Sequence, residues 1–180
     1  MKTPLTYGAY TAIASALLTL GLFFSGYHSD PAKMQSVQWV GSLLGFAIPI
    51  VGIVMGMRAR RAEYPAHQPF TYARALGAGI LVALFAGLFA ASFHLLYITL
   101  INPDFMVVTK ELQVQAMEKQ GLSSDQIDQA MKMTGMFMHP AVQFIFSILF
   151  LSIFGTIVSL IAAIFVKRPP LAPPAAPATV

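Results

Sequence analysis

Charged residues fall in clusters along this chain, and the gaps between the clusters set the fold. Residues 76–101 contain no Asp, Glu, Lys or Arg. At about 1.5 Å per helical residue such a gap crosses a hydrocarbon core of roughly 30 Å. It predicts a membrane span over residues 72–101. Comparable gaps predict spans over about residues 4–27, 37–57 and 141–166. A cleaved signal peptide is the alternative for the first, but the apolar run is long for one and no A-x-A site follows it.

Small residues recur within these spans at every fourth place. The third carries Ala75, Gly79, Ala83, Gly87 and Ala91. In lipid, helices gain little by burying apolar groups against each other; they gain by close backbone approach. A strict step of four suits a partner crossing at about −40°. Gly8, Ala12 and Ala16 repeat the pattern in the first span, and Gly155, Ser159 and Ala163 in the fourth. The second span holds two pairs, Gly41 with Gly45 and Gly52 with Gly56. Pro49 lies between the pairs and should kink that helix, because it removes a backbone donor. Trp39 is placed as an interfacial anchor.

Between the third and fourth spans the period changes. Asn102 and Pro103 end the span, and Asp104 is a candidate helix cap. A helical pattern then runs to Gly121, a candidate stop. Ser123 and Gln126 have capping-box spacing. Ile127, Ala130, Met131 and Met138 share one helical face. The pattern predicts a helical hairpin over about residues 104–138. Its methionines (Met131, Met133, Met136, Met138) suit ordinary packing, a lipid surface or a partner. Residues 169–180 are Pro/Ala-rich and read as an extended or disordered tail.

Composition agrees: 57% of the 180 residues are hydrophobic and 10% charged, against about 25% charged in soluble domains. The fold class expected is all-α, a four-helix membrane protein in one domain over residues 1–168. Cysteine is absent, which excludes disulfide and thiolate chemistry. The net charge of +4 follows membrane topology and gives no reason to invoke nucleic acid. Lys2, Arg58, Arg60, Arg61, Arg74, Lys167 and Arg168 fall on one side. Lys33, Lys110, Lys119 and Lys132 fall on the other, with Asp104, Glu111, Glu118, Asp125 and Asp128. The positive-inside rule then puts both termini in the cytoplasm and the hairpin outside. The basic cluster is foremost a topology determinant, and anionic headgroups are its other candidate partner.

Candidate chemistry inside the spans is sparse. His94 is the one titratable side chain deep in a span apart from tyrosines. It could relay a proton, bind a metal or take a polar headgroup; it could also be a neutral ring bonded across the bundle to Ser or Thr. No second His or carboxylate stands at metal-ligand spacing. No G-x-S-x-G, P-loop or dinucleotide fingerprint is present. No catalytic residue, metal or cofactor is expected.

With these pieces placed, the chain resembles an uncharacterised bacterial inner-membrane family, domain of unknown function 4199. The matching features are MRARR at the end of the second span, FTYARALGAG opening the third, YITLINPDF closing it, the acidic hairpin, and FVKR ending the fourth. The resemblance covers roughly residues 5–168 and leaves out the tail. It implies a four-pass protein and supplies no activity or site residue. The expected role is a non-enzymatic accessory or scaffold protein, with lipid and another membrane protein, or a second copy of itself, as partners. A small transporter or channel with His94 and Pro49 lining the path is the alternative.

Overall fold

The computed structural model describes residues 1–169; the rest of the Pro/Ala-rich tail lies outside the described residues. Six α-helices follow in order: α1 Lys2–Phe24, α2 Pro31–Ala62, α3 Tyr72–Leu96, α4 Phe105–Lys119, α5 Ser124–Phe137 and α6 Pro140–Val166. The described residues form no strand beyond one isolated bridge. A π-turn, Tyr97–Ile101, continues α3. Four helices are long and apolar enough to cross a membrane: α1, α2, α3 with its π-turn, and α6.

Local chemistry sets the helix ends. α1 stops at Phe24, and Gly26 turns the chain with φ +76°, where a Cβ would be strained. The link expected before residue 37 is largely helix, because Asp30 caps α2. Its carboxylate accepts from the N–H groups of Ala32 and Lys33, and Pro31 fits the first turn. At 32 residues α2 is about 48 Å long and overshoots a hydrocarbon core. Asp104 does not cap α4 as expected; its side chain makes no cap hydrogen bond. The Ser123–Gln126 capping box is closed in both directions.

α3 packs against α1, α2 and α6 and so forms the centre of the bundle. Its stripe of small residues faces α6 in antiparallel register. Gly79 meets Ser159, Ala83 meets Gly155, and Gly87 meets Ile148 and Leu151. A second row, Ala78, Val82 and Ala86, is buried beside the first. Gly8 of α1 lies on it, so close that a Cβ there would reach 3.0 Å from the Ala86 nitrogen. Gly52 packs on Thr11, and Gly56 on Tyr7 and Val82. Ala75 and Ala91 are buried as well.

The close approach expected at Gly41 and Gly45 does not occur. Gly41 has only Leu22 nearby, at 3.9 Å, and nothing lies within 4 Å of a Cβ on Gly45. The physical reason is that the bundle is tight at one end and splayed at the other. Ile53, Met57, Phe70, Ala75, Ala78, Val82, Ala83, Ala162, Ala163 and Val166 form one buried cluster near the α2–α3 loop. Toward the α4–α5 hairpin no residue of α2 before Pro49 is buried, and the helices part around a cavity.

Candidate functional site: a cavity at the hairpin end

Small and missing side chains make the cavity. Gly41 and Gly45 of α2, Ala90 of α3 and Ser147 of α6 leave a space of about 370 Å³ between α1, α2, α3 and α6. Pro49, His94, Tyr97, His28 and Phe105 complete much of the wall. Pro49 has no N–H to give the Gly45 carbonyl one turn earlier, so that acceptor lacks its usual helical partner. Ser15 and Thr19, also on the wall, return their hydroxyls to carbonyls of their own helix.

Two imidazoles meet this space, each with one nitrogen engaged. His94 Nε2 donates to Gln143 Oε1 at 2.9 Å, from α3 to α6. The Gln143 amide nitrogen points instead to the Met138 carbonyl at 3.5 Å, which fixes its orientation. With Nε2 donating to Gln143, Nδ1 is the ring nitrogen left for a further hydrogen bond. The sequence offered Ser or Thr as its partner; the structure supplies a glutamine.

The second imidazole is His28, in the short link between α1 and α2. It is only 8% exposed, and its Nδ1 lies 2.6 Å from the Tyr97 hydroxyl. That hydroxyl also accepts from Asn102 Nδ2 at 3.0 Å. Assigning the hydroxyl proton to the bond with His28 lets the Asn102–Tyr97–His28 chain donate in one direction and places the His28 proton on Nε2. The π-turn is what places these groups. It turns both Tyr97 and Ile98 inward and closes with Asn102 N donating to the Tyr97 carbonyl at 2.7 Å. Such turns recur at functional sites. Phe105 packs on both rings, 5.1 Å from His28 and 5.3 Å from Tyr97 between centroids.

Burial holds the His28 pKa below its ordinary value of 6.5, because the charged ring loses its hydration. The unfolded chain therefore takes up this proton first. The stabilisation from neutral His28 is complete above pH 6.5 and is lost as pH falls through the lower folded value. The unfolding midpoint of the purified protein should drop between pH 7.5 and pH 5. The drop should be smaller in His28→Gln, and an equal drop in both would remove His28 as its source.

The predicted basic residues stand at the far end and are largely engaged. Arg168 donates to the carbonyls of Tyr64, Pro65 and Gln68 at 2.8 to 3.1 Å. Arg168 and Phe70 also exchange backbone hydrogen bonds of 2.8 and 3.1 Å. Arg61 donates to the Val166 carbonyl, and Arg74 to that of Pro69. Arg60 pairs with Glu63. Arg58 and Lys167 are exposed. His139, at the start of α6, caps it by accepting from Ala141 N. Of the methionines, Met131 and Met138 turn partly inward and Met133 and Met136 outward.

This arrangement defines a class: a protein whose described residues are helical, with four helices able to span a membrane and a cavity with polar groups in its wall at one end of the bundle. Residues 6–168 match the family described as "Protein of unknown function (DUF4199)", and the chain belongs to that family. No curated protein and no solved structure matches it.

Proposed function

We propose that this is an integral protein of a bacterial inner membrane and a non-enzymatic accessory protein that binds a partner, lipid or protein, through its bundle. The cavity carries this reading. It is walled by hydrogen-bonding groups, yet no carboxylate, Lys or Arg stands among its lining residues. One turn beyond Pro49 of its wall, Ile53 belongs to the close-packed cluster at the other end of the bundle. A cavity without Asp, Glu, Lys or Arg, next to a close-packed end of the bundle, suits holding a molecule more than passing one.

One observation favours the transport alternative: Pro49 and His94 line the same cavity. A path would then require the helices to separate at Ile53, Met57 and Val166, where they are tightest.

Charge supports the orientation, with the α2–α3 loop in the cytoplasm and the α4–α5 hairpin outside. Reporter fusions at Ala66 and Gly121 should land on opposite sides, and finding both on one side would end this topology. The binding role is tested by purification in mild detergent with mass spectrometry of what accompanies the protein. A specific lipid or protein should be retained by the wild type and lost when Gly45→Phe fills the cavity. Identical profiles for the two would count against a binding bundle.

A further inference from the structure

The cavity wall mixes donors with acceptors and contains no Asp, Glu, Lys or Arg. His28 and His94 both line it, and each has one ring nitrogen, Nε2 of His28 and Nδ1 of His94, not used in its bond to Tyr97 or Gln143. Ser147 on α6, among the lining residues, can give and take a hydrogen bond, and the Gly45 carbonyl is released by Pro49. A phosphate or ammonium head would enter here without a counter-charge, which buried surroundings penalise heavily. A hydroxyl, which donates and accepts at once, fits both kinds of group.

The cavity does not stand alone. An apolar groove of about 350 Å³ runs between α1 and α2, from Ala14 and Ile48 to Tyr7 and Met55. Ala14 and Ile48 directly precede Ser15 and Pro49 of the cavity wall. From Ser15 to Tyr7 the groove follows α1 for roughly 12 Å. Both volumes lie in the range that holds small ligands. A cavity with hydrogen-bonding groups set in a largely apolar wall, and an apolar furrow beside it on the same α1–α2 seam, would take the head and the tail of an amphiphile.

Resting on the binding role proposed above, we infer that the cavity holds the uncharged, hydroxyl-bearing headgroup of a lipid, whose apolar tail lies in the α1–α2 groove. Two natural sources share this chemistry, acylglycerols and quinols, and the probes below separate them.

The test uses the full chain in detergent, with dioleoylglycerol, a menaquinol and dioleoylphosphatidylglycerol as separate additives. Binding is read by native mass spectrometry and by thermal shift. One of the two uncharged lipids should bind and raise the unfolding midpoint by roughly 5 °C or more at a hundredfold excess over its Kd. Phosphatidylglycerol should do neither. Ser147→Val, which leaves the histidine network untouched, and Ala47→Phe, which fills the groove, should each weaken binding at least tenfold. Preference for phosphatidylglycerol, or binding unaffected by both variants, overturns the assignment of ligand class while leaving a binding bundle standing. No bound molecule and no shift with any probe overturns the assignment and the binding role together.

Discussion

Gly79→Leu should cause a large loss of stability in the α3–α6 contact. Even the first carbon of a side chain at Gly79 would stand 2.8 Å from Ser159 Cβ and 2.9 Å from Met57 Sδ. Ser159 and Met57 are themselves fully buried, so neither can move aside cheaply. Overpacking of this kind costs about 3 kcal/mol, and the gap it opens spreads along the crossing. For a chain of this size that corresponds to roughly 6–12 °C in the unfolding midpoint. Gly87 is a built-in control. A Cβ there meets Ile148 and Leu151 at 3.5 Å, an ordinary contact. Gly87→Ala should therefore be close to neutral, while Gly79→Ala should already destabilise. Leu88→Ala should cost little, because Leu88 is 42% exposed in the protein. Thermal unfolding in one detergent ranks the four variants. A Gly79→Leu protein as stable as the wild type would mean that α3 and α6 do not cross as described.

The second large effect belongs to Tyr97→Phe. The ring would stay, but two buried groups would lose their partner at once: His28 Nδ1 and Asn102 Nδ2. Each unpaired buried polar group costs about 1–3 kcal/mol, so the variant should lose roughly 2–6 kcal/mol. The double variant Tyr97→Phe/His28→Phe removes both ends of the short bond and should recover part of that loss. A strictly additive double variant would show that the two side chains are not coupled.

The spans were legible in the sequence because one quantity decides them. A run of uncharged residues long enough to cross a bilayer has few alternatives, and the only errors lay at caps such as Asp30. The Gly79 row was legible because its residues are all small. Its neighbour was not, because Val82 interrupts the small pattern of Ala78 and Ala86. Gly41 and Gly45 share the spacing of Gly52 and Gly56, and spacing cannot say whether a missing side chain admits a helix or leaves a void. His94 stood out as an ionisable residue in a span. His28 did not, since nothing local shows that a loop histidine folds back beneath a tyrosine. Gln143 carries no charge and gave no signal. The π-turn that joins these groups depends on Asn102 and Tyr97 meeting, which only the folded chain arranges.

The antiparallel match between α3 and α6 has a consequence for how the protein is made. Synthesis runs from the N-terminus, so α1, α2 and α3 are complete before α6 exists. Through that interval Gly79, Ala83 and Gly87 present an unfilled furrow to the surrounding lipid. Any α6 that arrives can fill it, including one from a neighbouring nascent chain, which is the route to helix exchange between copies. The backbone clasp between Phe70 and Arg168 forms only when the last turn of α6 has emerged. It closes the furrow's own end of the bundle and commits each chain to its own final helix.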